Sequence, residues 1–395
     1  MRTIWQWLCA ARRLAPVSRN ACAQNAIFRK FGVAAVASTA CLLSACASPL
    51  DYYWQSVWGE WQLLSRARPI PEVIADTNDE VLKVRLERIA EIRKFASREL
   101  DLPANGSYMR YTDLGRPFVS WTVFATPELS LSPRDWCFPV AGCVSYRGYF
   151  RHADAISEEK RLEAQGDDVY VGSVPAYSTL GYFDDPVLSS FVRWPETEVA
   201  RLIFHELAHQ LLYVPGDTVF NESYAVTVEG AGLQRWLAHE HSPELVAQFE
   251  RTERMRAEFN ALVRQTRSRL AEIYASSAPA SEKRRLKEEA FAAMRVAYDA
   301  AKANDPGLIG YEGWFSHHPN NANLAAIALY TDRVPAFRAM LREEGNDLVR
   351  FYAHVKQLAG LPKAERDRIL DDYANGGGNA PAINASSRDV ERSQS

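Results

Sequence analysis

Between Thr197 and Val214 the chain runs for 18 residues without a proline or glycine, and its apolar positions Val199, Leu202, Ile203, Leu207 and Leu211 recur at helical spacing. A helix is therefore expected over 197–214, closed by Pro215-Gly216-Asp217. Inside it stands His205-Glu206-Leu207-Ala208-His209. On a helix, residues four apart share a face, so the two imidazoles converge on one ion. Glu206 then lies beside that ion, placed to take a proton from a water and return it to a leaving nitrogen. With only eight histidines in 395 residues, such a string arises by chance in roughly 0.01 of chains of this composition.

A third ligand is expected from the next helix, which should start near Asn221 and run past Trp236. Folding the two helices back about the Pro215-Gly216 turn brings Glu222 level with His209 and puts Glu229 on the same face, seven residues on. Two helical turns span roughly 10 Å and a zinc–oxygen bond about 2 Å, so only one of the two binds the ion. Glu222 is the first choice, because Asn221-Glu222 resembles the Asn-Glu signature of gluzincin metallopeptidases. Glu229 is then the acid that orients a ligand imidazole. Twelve residues separate His209 from Glu222, fewer than in thermolysin-like or membrane-alanyl aminopeptidase-like gluzincins, and nineteen separate it from Glu229. Glu229 therefore stays as the alternative ligand.

The ends of the chain bear on where it works. The first 45 residues hold six Arg or Lys and no acid, followed by an apolar run from Phe31 to Leu43. At 13 residues that run is shorter than the about 20 needed to cross a bilayer, so residues 1–45 read as a signal peptide. Leu43-Ser44-Ala45-Cys46 resembles the lipobox of bacterial lipoproteins, which implies lipid on Cys46 and membrane attachment; an ordinary secretory signal is the alternative. Ala47 after Cys46 points to the periplasmic side of the outer membrane. Cleavage leaves 40 basic against 49 acidic residues, with no basic block, which excludes nucleic acid as a partner. Of the three cysteines remaining, Cys137 and Cys143 are expected to form a disulfide in an oxidising compartment, with a metal site or free thiols as the alternative.

The mature chain divides into a lipidated aromatic segment over 46–70, a peptidase domain over 71–375 and a disordered tail over 376–395. Within the domain, 116–182 is rich in short β runs (118–125, 143–150 and 168–173), and 197–238 holds the two site helices. Residues 244–304 form a helical hairpin with Val246, Phe249, Phe259, Leu262, Leu270 and Ile273 as its buried stripe, and 305–375 form the C-terminal helices. An earlier helix carries Leu82, Leu86, Ile89, Ile92 and Ala96. A small mixed sheet followed by helices is an α+β order.

Further residues are candidates for a supporting part. Tyr330, or Tyr177 or Tyr182, is a candidate donor to a developing oxyanion. Asn320 and Asn321 either bind substrate backbone or cap the following helix. Val174 to Tyr182 is a candidate edge strand for an extended peptide. Asp184, Asp185 and Glu229 are acids available to a free amine, and His317-His318 read as surface residues.

Taken together, Trp136-Cys137-Phe138-Pro139, the run Gly142 to Phe150, Tyr177 to Gly181, Phe204 to Gln210 and Phe220-Asn221-Glu222 resemble the bacterial family of predicted zinc aminopeptidases anchored as lipoproteins. The likeness extends from about Tyr52 to Tyr373 and includes Trp314-Phe315, Asn320-Asn321-Ala322 and Val334 to Phe337. It implies a zincin-like fold, one zinc ion and removal of N-terminal residues from peptides. An envelope endopeptidase and a catalytically silent lipoprotein scaffold are the alternatives. The oligomeric state is not legible.

Overall fold

The computed structural model describes residues 58–59, 61–138, 142–176 and 178–376. Cys46, the aromatic run at Tyr52 to Trp54, Tyr177 and the tail beyond Gly376 lie outside the described residues. The fold is α+β, mostly helical, with small sheets. No helix among the described residues is long and apolar enough to cross a membrane.

In place of one mixed sheet there are three among the described residues. β1 (Arg68–Pro69) pairs antiparallel with β2 (Arg110–Thr112), which pairs parallel with a later strand, β8 (Val187–Leu188). β3 (Ser120–Pro127) is the centre of an antiparallel sheet between β6 (Arg147–Tyr149) and β7 (Asp167–Val174). A separate ribbon joins β4 (Trp136–Phe138) to β5 (Gly142–Val144), with Cys137 opposite Cys143 and their sulfurs at disulfide distance. The sheets stay apart because turns and helices interrupt the β-rich stretch. One of those helices, α3 (His152–Glu163), was not expected there, although Ala155, Glu158 and Leu162 carry the buried spacing that announces it. The candidate edge strand over 174–182 does not form among the described residues: β7 stops at Val174, and 175–176 and 178–182 are irregular.

α1 (Ile70–Asp76) leads into α2 (Glu80–Glu99), which starts where the Asp79 carboxylate accepts the Leu82 N–H and buries Leu86, Ile89, Ile92 and Ala96 as expected. That face packs on the site helices α4 (Glu196–Leu211) and α5 (Thr218–Glu240) in the main core. α5 approaches closely at Gly232, where a β-carbon would lie 2.7 Å from Leu100 and 2.9 Å from Phe204. The connection between them is short, turns at Gly216 (φ +78°), and is pinned by Asn221. The Asn221 amide donates to the Val214 carbonyl at 2.7 Å and accepts the Val214 N–H at 2.7 Å.

α6 (Pro243–Ala275) and α7 (Ala280–Asn304) form the hairpin, followed by a 3-10 turn (Pro306–Tyr311) and α8 (Glu312–Ser316). Its stripe differs from expectation. Phe259, Leu270 and Ile273 are buried, but Val246 is exposed, Leu262 is half-buried, and Val263 and Thr266 take their places. At its N-terminal end α6 faces the main core through Leu245 and Phe249, so its buried side changes partner along its length. α9 (Asn321–Leu329) covers the face of the β3 sheet opposite α3, packing Ala322, Ala326 and Leu329 on Phe124. α10 (Val334–Glu343), α11 (Leu348–Ala359) and α12 (Lys363–Ala374) complete the main core.

Candidate metal centre

α4 begins after Pro195 with Glu196 and Glu198 in its first turn, where carboxylates suit the helix dipole. One face of α4 buries Val199, Ile203, Phe204 and Leu207. His205 and His209 sit one turn apart, their rings nearly perpendicular at 86° with centroids 4.7 Å apart. The antiparallel return of α5 sets Glu222 against both: its Oε2 lies 3.2 Å from Nε2 of His205 and 3.4 Å from Nε2 of His209, and the two Nε2 atoms are 3.1 Å apart. All three residues are buried and offer ligand atoms within 4.8 Å of one another.

Glu229 takes a different place from its neighbour two turns earlier. It meets His205 on the far side of the ring, Oε2 to Nδ1 at 2.8 Å, while its Oε1 accepts from Nη1 of Arg201 at 2.9 Å. In the neutral tautomer whose Nδ1 donates to Glu229, Nε2 of His205 carries a bare lone pair and faces a carboxylate oxygen and a second ring nitrogen. Three lone-pair atoms so close and so buried repel unless a proton or a cation lies between them. Two imidazoles and a carboxylate are a donor set that suits a divalent metal. The buried His-His-Glu group thus fits a metal ion.

A family model described as putative aminopeptidase matches residues 51–370. The chain belongs to that family. Membership supports a peptidase, a hydrolase acting on peptides. No curated protein and no solved structure matches the chain.

In this member of the putative aminopeptidase family the acids and histidines of the group shift one another's protonation. Burial works against a charged His205, but Glu222 and Glu229 outweigh it and hold its pKa well above the usual imidazole range. Burial likewise works against a charged Glu222, and the two histidines outweigh it and hold the carboxyl below the usual range. Glu206 moves the other way: burial raises it, and the histidines only partly offset that. Its carboxylate makes no hydrogen bond to any described residue.

Of the supporting candidates, Tyr330 closes the C-terminus of α9 with its ring 6.3 Å from that of His205. The Glu222 charge, foremost, pushes its phenol well above the usual value. Tyr182 is exposed, and Tyr177 lies outside the described residues. Asn320 caps α9, accepting the N–H groups of Ala322 and Asn323 and donating to the Val169 carbonyl at 2.8 Å. Asn321 is fully buried, donating to the Glu128 carbonyl at 2.9 Å and accepting the Tyr274 hydroxyl at 3.1 Å. Asn320 thus takes the capping role that was its alternative reading, and both side-chain amides are engaged inside the fold. Asp185 is also engaged, by Ser178, Thr179 and Gln210, and burial raises its pKa to about 6. His317 and His318 are exposed, as expected.

Three residues of the site were missed in the sequence. Asn221, part of the Asn-Glu signature, pins the inter-helix connection. Tyr213, four residues beyond His209, places its ring 6.2 Å away, and Arg201, four before His205, reaches Glu229. The i±4 spacing was the available signal for both.

Proposed function

We propose that the protein is a zinc-dependent aminopeptidase that removes N-terminal residues from peptides in the bacterial cell envelope. The observation that carries this reading is the convergence of Nε2 of His205, Nε2 of His209 and Oε2 of Glu222, with an unbonded Glu206 carboxylate on the same helix. His205, His209 and Glu222 would hold one zinc ion, in a site with the open position expected of a catalytic centre. When bound, zinc would polarise the scissile carbonyl and make a water acidic enough to attack at neutral pH.

The chain's own residues supply the rest. Glu206 takes the proton of the attacking water and delivers it to the leaving nitrogen, and its raised pKa suits an acid-base group working near neutrality. Glu229 holds the His205 ring by Nδ1. Tyr330, beside His205, is the donor for charge developing on the carbonyl oxygen. In this reading the protein has a zincin-like fold, and lipid on Cys46 holds it on the periplasmic side of the outer membrane.

The test is cleavage of a mixed peptide library, with zinc content measured alongside, on the chain from Ala47 and on its Glu206→Gln variant. Trimming of N-termini by the parent, with zinc kept and cleavage lost in the variant, is the expected result. Internal cuts alone would make it an endopeptidase, and a zinc-bound parent that cuts nothing would make it a scaffold.

A further inference from the structure

Arg201 lies one turn before His205 on α4, and both side chains meet the same residue of α5. Glu229 gives one oxygen to each, Oε2 to Nδ1 of His205 at 2.8 Å and Oε1 to Nη1 of Arg201 at 2.9 Å. Resting on the zinc reading above, we propose that Arg201 is a positioning residue: it clamps Glu229 against His205, and so fixes the ring orientation that turns Nε2 toward Glu222 and His209. The clamp is anchored from outside the site. The other terminal nitrogen of Arg201 donates to Oε1 of Glu253 on α6 at 2.7 Å, and Glu253 lies 3.5 Å from Arg256. Arg256 donates to Oε2 of Glu198 at 2.9 Å, whose other oxygen is 3.5 Å from Arg201. The four residues close a ring of ions between the metal helix and the hairpin.

Its burial argues for this task. Arg201 and Glu229 are 9 % and 6 % exposed, and taking such a pair out of water offsets most of the attraction between them. An apolar pair would stabilise the helix contact as well. What it would not do is hold a carboxylate at two points, so that Oε2 of Glu229 cannot swing off the imidazole. Lysine cannot reproduce the arrangement, because one ammonium lacks the planar fork that serves Glu229 and Glu253 on separate nitrogens. Three carboxylates face two guanidiniums in this network, and Glu229, the carboxylate touching His205, leaves the surplus negative charge next to the metal group.

The experiment is a zinc titration against a chromophoric chelator on the parent, Arg201→Met, Arg201→Lys, Glu229→Ala and the Arg201→Met/Glu229→Ala double variant, with the melting of each metal-free protein recorded. Arg201→Met should weaken zinc about 10-fold, in the range for residues behind a metal ligand. Arg201→Lys should recover part of that loss. The double variant should be little weaker than Glu229→Ala alone, because Arg201 acts through Glu229. Should Arg201→Met fail to fold, Glu253→Ala keeps the Arg201–Glu229 pair and should weaken zinc by a smaller factor. Unaltered zinc affinity in the variants that fold, or losses that simply add in the double variant, would overturn the assignment while leaving the zinc reading intact. A parent that takes up no zinc would overturn that reading and this inference with it.

Discussion

The α4–α5 pair and the α6–α7 hairpin are both antiparallel helix pairs, and they treat charge in opposite ways. On α4 and α5 the charged groups turn inward: Arg201, His205, His209, Glu222 and Glu229 are all buried, each touching another. On the hairpin they turn outward, as where Arg285 pairs with Glu282 and Glu289 along an exposed face while Phe259, Leu270, Met294 and Tyr298 fill an apolar core. The hairpin's charges are at home in water and add little to stability. Those of α4–α5 are held where water would have solvated them better, a cost set against their mutual attraction. Arg366 and Asp217 form a buried pair elsewhere, so what sets α4–α5 apart is that two imidazoles and a carboxylate share one point.

The contrast is broken most sharply by removing a carboxylate from each pair. On the proposed zinc reading, Glu222→Ala should abolish metal uptake and lower peptidase activity by a factor of at least ~10³, since it would remove the Lewis acid and the activated water together. Glu272→Ala, exposed on α6, should change neither. Equal effects would mean that burial does not separate the two kinds of acid. A steady-state assay with elemental analysis reads both.

Cavities probe the cores next. Phe204→Ala, under α4, should destabilise by about 3–5 kcal/mol and Leu270→Ala, inside the hairpin, by about 2–5 kcal/mol, both being fully buried. Only the first should also weaken metal binding, because Phe204 adjoins His205. Denaturant melts with a metal titration check this.

Little of the contrast is visible in the sequence, and the reasons are physical. The metal group was readable because helical periodicity carries His205 and His209 to one face, and because the short turn at Gly216 leaves α5 one way to return. Glu222 and Glu229 could not be told apart by spacing, as they share a face of α5; what separates them is which nitrogen of His205 each one meets. The hairpin's extent was legible from its break at 276–281, but Val246 was misplaced because α6 changes the core it faces midway. Helix α3 was lost in a β-rich stretch where Tyr149, Phe150 and Val169 dominate the pattern. Asn320 and Asn321 looked available for substrate, and only the tertiary contacts with Val169, Glu128 and Tyr274 show their amides engaged.

Asp185 sharpens the comparison from a smaller effect. It is a buried acid near the end of α4 that meets hydroxyl, amide and backbone donors and no base, so burial raises its pKa from 3.8 to about 6. Folding then favours its protonated form, and the stability that form contributes is complete below about pH 4 and lost as pH rises through about 6. The loss is about 3 kcal/mol at most from a shift of this size. Asp185→Asn should flatten the stability profile between pH 4 and 6, and an unchanged slope would mean that the carboxyl ionises freely where it stands. The smallest effect is expected at Arg285→Ala, whose exposed ion pairs should leave the melting temperature unchanged within error.

The central claim is that His205, His209 and Glu222 share one zinc ion, and the most direct measurement is an anomalous difference map from crystals of the zinc-loaded protein, collected at the zinc edge. The account predicts a single strong peak about 2.0–2.2 Å from Nε2 of both histidines and from a Glu222 oxygen, with Glu229 still on Nδ1 of His205. A peak bound by Glu229 in place of Glu222, or no peak between the two helices, would contradict it.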